Sequence, residues 1–271
     1  MTGTIGMFDS GVGGLSILRH VRRALPSHSV LYVADQALAP YGGRSLAFVR
    51  RRSHEIVEHL LNDGAEIVVV ACNTASAAAL ASLRSDFPQV PFVGMEPAVK
   101  PAAESTVRGL VGVLATRATF QGELYASIID RHGLDVGVVE RVGTGLVELV
   151  EAGLLDTPEA VDIVAGHLSP MVTAGVDTIV LGCTHYPFLA PLMRSLLGPG
   201  VVLIDPAPAV ARQAARLADR HAVEGEGSPT VRFVTTGDPI RFAQQICVLL
   251  DSPPLDVEGR SIGATEDRLQ T

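Results

Sequence analysis

The sequence predicts an α/β fold made of two pseudo-symmetric, doubly wound parallel-sheet lobes that face each other across a central cleft. Two observations carry this. Short runs of Val, Ile and Leu alternate with longer helical patterns, as expected for parallel strands covered by helices on both faces. The second half of the chain then replays the first. With 271 residues, there is length enough for two cores of ordinary domain size.

Taken in order, IGMF from Ile5 reads as a strand, LSILRHVRRAL as a helix, VLYVAD as a strand, SLAFVRRRSHEIVEHLLNDG as a long helix and EIVVVA as a strand. The repeat is gapless where it is strongest: GAEIVVVACNTAS from Gly64 overlies GVDTIVLGCTHYP from Gly175, an offset of 111 that puts Cys72 on Cys183. IGMFDS from Ile5 overlies VGVLAT from Val111 at an offset of 106, and MEPAV from Met95 overlies IDPAPAV from Ile204 at about 109. The first lobe is expected over residues 1–97 plus 208–250 and the second over 98–207, with crossings at Pro97 to Pro101 and near Pro206 and Pro208. A helix (AVARQAARLADRHA), a strand (TVRFVTT) and a last helix (IRFAQQICVLL) return to complete the first lobe. Residues 251–271, with little apolar periodicity, read as a loose C-terminal tail.

Composition narrows the function classes. Twenty-one Lys and Arg against 29 Asp and Glu give a net charge of −8, which argues against direct nucleic-acid or acidic-membrane binding. No apolar stretch approaches the ~18 residues of a membrane helix. The opening MTGTIGMFDSGVGG lacks a basic segment followed by an apolar core, so a cytoplasmic location is expected. The short run Arg50-Arg51-Arg52 reads as a solvated helix face. Three cysteines in such a compartment do not form a disulfide framework.

Ligands of open parallel sheets bind beyond the carboxyl ends of the strands. Three polar clusters occupy such ends: Asp9-Ser10 leading into Gly11-Val12-Gly13-Gly14, Cys72-Asn73-Thr74, and Cys183-Thr184-His185. The glycine loop is a partial dinucleotide fingerprint, with Asp35 as its acid but Ser16 at the third small position. Otherwise it is a row of amides suited to a carboxylate or phosphate. Cys247 lies in an apolar helix pattern and reads as core, whereas Cys72 and Cys183 are each followed by polar residues at repeat-equivalent positions. A zinc site from Cys72, Cys183 and His185 lacks a fourth ligand and any Cys-x-x-Cys pair. Two thiols approaching one small ligand from opposite sides suit inversion of a carbon centre, one sulfur removing a proton and the other delivering one. A free thiol titrates near ~8.5, so each sulfur needs help from helix amides and from neighbouring groups. Asp9 and His185 are the candidates, although Asp9 would also serve as a helix cap and His185 as a hydrogen-bonded loop residue.

DSGVGGLS from Asp9, PYG from Pro40, ACNTAS from Ala71 and GCTHYP from Gly182, in that order, resemble the glutamate racemases of the cofactor-independent aspartate/glutamate racemase superfamily. The likeness runs from about Ile5 to the region of Asp238. It implies interconversion of L- and D-glutamate, without cofactor or metal, to supply D-glutamate for bacterial peptidoglycan. By position it implies Cys72 and Cys183 as the acid/base thiols, Asp9 assisting Cys72 and His185 assisting Cys183. Ser10, Tyr41, Gly42, Asn73, Thr74 and Thr184 would bind the substrate together with Asp9 and His185. Glu151 matches the acidic residue that relatives place near His185, although Gly143-Thr144-Gly145 stands where Cys-Pro commonly precedes it. His185, where aspartate racemases carry Glu, favours glutamate. The resemblance further implies a homodimer and, by family analogy only, gyrase as a protein partner. Tyr41-Gly42-Gly43 reads as a mobile loop over the site. Two rival readings remain, a two-lobed module that binds a small dicarboxylate without chemistry and a dinucleotide-dependent enzyme.

Overall fold

The computed structural model describes residues 3–96, 98–122, 125, 136–225, 227–253 and 256–263. Among the described residues there are ten strands: β1 (Thr4–Asp9), β2 (Ser29–Ala34), β3 (Ala65–Val70), β4 (Phe92–Gly94), β5 (Leu110–Ala115), β6 (Gly137–Val142), β7 (Thr178–Gly182), β8 (Val202–Ile204), β9 (Val231–Thr235) and β10 (Val257–Gly259). They form two parallel sheets, one of six strands in the order β10-β9-β2-β1-β3-β4 and one of four in the order β6-β5-β7-β8.

The internal repeat is visible in the strand register. Phe8 of β1 faces Val70 of β3, and the residues 106 and 111 positions on, Leu114 and Leu181, face each other across β5 and β7. Val68 faces Phe92, as Ile179 faces Leu203 at an offset of 111. The local order β2-β1-β3-β4 is therefore repeated as β6-β5-β7-β8.

Apolar side chains on both faces of the central strands β1, β3, β5 and β7 explain the layering. Along β1 and β3, Ile5, Met7, Ile67 and Val69 join one core while Phe8, Val68 and Val70 join another. In the second sheet, Leu114, Ile179 and Leu181 share the first of these cores, and Val111, Val113 and Val180 build a third. One continuous core thus links the two sheets. Each fully buried Val, Leu or Ile contributes about 1.5–3 kcal/mol, so this shared core is what sets the sheets against each other.

Caps place the helices. Ser45 Oγ accepts from the Phe48 amide at the start of helix Leu46–Asn62, and Thr157 does the same for helix Pro158–Thr173. Asp238 accepts from Ile240 and Arg241 at the start of helix Pro239–Leu250.

Three expectations change. The stretch from residue 251, read as a loose tail, carries β10, which pairs in parallel with β9; a three-residue strand held by backbone hydrogen bonds leaves no periodic signal. Residues 264–271 of that stretch, and Pro97 at the expected crossing, lie outside the described residues. Arg52 is not part of a solvated face: it is buried, and its guanidinium pairs with Asp35 at 2.7 Å. Cys247, read as core, is half-buried. Among the described residues, no helix is long and apolar enough to cross a membrane.

Candidate active site

The carboxyl ends of five strands converge on one cavity of about 290 Å³. β1 contributes Asp9 and Ser10, β3 leads into Cys72-Asn73-Thr74, β5 into Thr116, β6 into Gly143-Thr144 and β7 into Cys183-Thr184-His185. Both cysteines line this single space, with side chains nearly closed to solvent. Hydroxyls and amides of Ser10, Asn73, Thr74, Thr116 and Thr184 are set into a wall that also carries apolar surface from Pro40, Tyr41, Val142 and Val147, which suits a small ligand held by a few placed polar groups.

Cys72 is the N-cap of helix Asn73–Asp86. Its sulfur lies 4.0 Å from Ser10 Oγ. Burial pushes the thiol well above its ordinary value and the neighbouring Asp9 carboxylate adds to the push, against hydrogen bonds from the Ala75 and Ser10 backbone. Asp9 itself is fully buried; burial raises its carboxyl, with the His185 charge, the Cys72 contact and the Gly14 amide pulling the other way. Its Oδ2 accepts from the Gly14 amide at 2.8 Å, while Oδ1 has no protein partner. Both side-chain polar atoms of Asn73 are likewise buried without a partner. Such groups are costly unless a ligand satisfies them.

The opposite wall is built differently. Cys183 Sγ lies 3.7 Å from His185 Nδ1, and His185 Nε2 donates to Glu151 Oε1 at 2.8 Å. Burial pulls the imidazole down, but its contacts with Cys183 and Glu151 outweigh that and hold it well above its ordinary value. Burial would raise Glu151, yet His185, the Val12 amide and Gln36 together hold it low. His185 therefore stabilises the fold most below its unfolded value and loses that contribution as pH rises through the raised one. Glu151 contributes above its unfolded value and loses its contribution as pH falls through the lowered one. The pair is intact across neutral pH.

The predicted residues sort themselves by position. Asp9, Ser10, Tyr41, Gly42, Asn73, Thr74, Thr184 and His185 line the cavity with the two cysteines. Glu151 does not; it stands behind His185 at the edge of a neighbouring cavity of about 310 Å³. The glycine loop has an occupant from within the protein, since the Val12 amide donates to Glu151 Oε1 at 2.9 Å. A Cβ at Gly11 would collide with that carboxylate, and one at Gly13 with His185 and Thr184, so these glycines permit the close approach of the two walls. Ser16, the residue that spoils the dinucleotide fingerprint, donates to the Thr184 carbonyl at 2.9 Å. Asp35 is committed to Arg52, Thr236 and the Tyr41 hydroxyl, which removes the acid that a dinucleotide ribose would need. The Tyr41 side chain, expected on a mobile loop, is buried and tied to that carboxylate within a 3₁₀ turn, Tyr41–Gly43. Among the described residues, no three His, Cys, Asp or Glu side chains cluster as a metal site.

Thr116, an ordinary residue type that motif reading passes over, lines the cavity with its hydroxyl 3.0 Å from that of Thr74. The internal repeat carries the signal for it, because the offset of 106 places Ser10 onto Thr116. Arg117, Thr144 and Glu148 also line the cavity.

Comparison with known proteins adds an independent line. The Asp/Glu/Hydantoin racemase family profile matches residues 15–214. A glutamate racemase of Ectopseudomonas mendocina is 49% identical over 247 residues, covering 91% of this chain and 94% of that protein. Among solved structures, glutamate racemase isoform RacE1 of Bacillus anthracis superposes with a TM-score of 0.87 at 32% identity, covering 95% of this chain and 97% of that one. Escherichia coli glutamate racemase, solved in complex with L-glutamate and the activator UDP-MurNAc-Ala, gives a TM-score of 0.86 at 33% identity, covering 97% and 100%.

Proposed function

The chain belongs to the Asp/Glu/hydantoin racemase family, and from that premise we propose that it interconverts L- and D-glutamate by proton transfer between two thiols and the α-carbon. The observation that carries the reading is that Cys72 and Cys183, from repeat-equivalent strand ends and each nearly buried, line one cavity. Relatives of similar fold and sequence act on glutamate by name, and one binds L-glutamate.

The chemistry follows from the two walls. One sulfur, as thiolate, takes the α-proton; the C–H electron pair passes onto the α-carbon and into the adjacent carboxylate. The other sulfur, as thiol, delivers its proton to the opposite face. After one turnover the protonation states of the sulfurs are exchanged, which equips the site for the reverse direction. An α-proton beside a carboxylate is very weakly acidic, so charge must be met by fixed donors in a dry site. The unpartnered Asn73 amide and the hydroxyls of Ser10, Thr74 and Thr184 are suited to that. Burial and Asp9 favour the protonated form of Cys72, whereas an imidazolium beside Cys183 is suited to exchanging a proton with it. In the wider reading the enzyme is a cytoplasmic homodimer that supplies D-glutamate for peptidoglycan.

Circular dichroism on the purified protein offered L-glutamate or L-aspartate separately, with no added cofactor, tests this. Decay of the L-glutamate signal to zero, with L-aspartate at least about 100-fold slower, is expected. A signal that stays constant while glutamate binds would overturn the reading in favour of a binding module.

A further inference from the structure

Glu151 holds His185 without touching the cavity, so something else must hold Glu151. One of its supports is Gln245, 94 residues away in sequence, whose Nε2 donates to the Glu151 carbonyl oxygen at 2.6 Å and to Oε2 at 3.3 Å. Gln245 is itself oriented. Its Oε1 accepts from Gln36 Nε2 at 2.7 Å, and Gln36 Oε1 accepts from the Thr235 hydroxyl at 2.9 Å. Glu151 presents only acceptors to Gln245, a carbonyl and a carboxylate oxygen, so the Gln245 amide must point its Nε2 there and its Oε1 at Gln36; Gln36 in turn must offer Nε2 to Gln245 and Oε1 to Thr235, whose hydroxyl donates while accepting from the Gly237 amide at 3.0 Å. Each amide therefore has one allowed orientation, and the direction of donation runs from Thr235 through Gln36 and Gln245 to Glu151. A lone hydrogen bond to a surface carboxylate would say little. Here the donors form a directed chain that ends, through His185, on a cysteine of the active-site cavity.

The chain also crosses the molecule. Gln245 lies on helix Pro239–Leu250, which packs on β9 and β10 of the six-stranded sheet. Glu151 ends helix Leu146–Glu151, which follows β6 of the four-stranded sheet. The charged groups around Glu151 are His185, which it pairs with, Asp9, which it repels, and Glu148, Asp238 and Arg241, which share the neighbouring cavity.

We propose that Gln245, oriented by Gln36, is a positioning residue for the racemisation: it fixes Glu151 against His185 and thereby holds the imidazole in place beside Cys183. This rests on the racemase reading above. Without the Gln245 donor the Glu151 anion is less stabilised and protonates at higher pH, and because Glu151 is no longer held against His185 the ion pair loosens and His185 loses its proton at lower pH.

The test compares the unmodified chain with Gln245→Leu and Gln36→Leu, reading kcat and KM for both glutamate enantiomers across pH and the His185 ring titration by NMR. For Gln245→Leu, kcat falls about 10-fold while KM stays within about twofold, and the pH profile narrows from both sides, each limb by about 0.5–1 pH unit. The His185 titration midpoint falls by a similar amount, and Gln36→Leu, which removes both the anchor of Gln245 and its own hold on Glu151, shifts it in the same direction. A uniform loss of kcat with unmoved limbs and an unmoved His185 midpoint would overturn the assignment, since that is what a purely structural role produces. If the unmodified chain does not racemise glutamate, the functional reading fails, and the His185 midpoint in the two variants still decides the role of Gln245.

Discussion

Cys72 and Cys183 occupy equivalent strand ends in two sheets of the same local order and register, yet their surroundings differ in kind. Cys72 has a carboxyl neighbour, Asp9, from the adjacent strand. Cys183 has an imidazole, His185, from its own loop, backed by a carboxylate from a third element. The repeat shows how the difference arose: at the offset of 106 Asp9 falls on Ala115, and at the offset of 111 His185 falls on Thr74. Neither half keeps the partner that the other uses. Duplication supplies two sulfurs facing one space, and divergence of single residues makes one wall favour the protonated thiol and the other carry a cation. Two thiols in the same protonation state cannot both remove and deliver a proton, and because turnover exchanges their states, both of these unlike walls must support each state in turn.

Cys72→Ala and Cys183→Ala are each expected to lower racemisation by at least about 10⁴-fold while near-UV dichroism stays native. Substantial turnover in either variant would mean that the two walls are not both used. A finer cut separates the partners. His185→Asn should lower kcat by about 10²- to 10³-fold, because it removes both the group beside Cys183 and the counter-charge of Glu151. Asp9→Asn should cost less, about 10- to 100-fold. It should also make Cys72 titrate at lower pH, since the repelling carboxylate is gone. Iodoacetamide labelling of Cys72 against pH reads that shift; an unchanged or raised midpoint would show that Asp9 does not act on Cys72 as described.

How far these features could be read beforehand depends on the kind of signal each leaves. β1, β3, β5 and β7 were legible because strands buried on both faces must be apolar throughout, and the repeat doubled the signal. The three-residue β10 was not, since backbone pairing to β9 demands no side-chain pattern. In the site, Cys72, Cys183 and His185 announce themselves as reactive types at strand ends. Thr116 was available from the repeat offset but is an ordinary residue type. Gln36 and Gln245 left no trace: a glutamine inside a helix pattern is unremarkable until the fold brings it to Glu151. Arg52 was misread for the related reason that a buried cation is recognisable only with its partner, and Asp35 is 17 residues away.

If two different sulfurs serve the two faces of the α-carbon, isotope exchange during the first few per cent of conversion in D₂O reveals it. D-glutamate then carries deuterium at the α-carbon while the residual L-glutamate keeps its original proton, with the mirror result when D-glutamate is the substrate. Deuterium entering residual substrate and product at equal rates would show one group serving both faces and would contradict the two-sulfur mechanism.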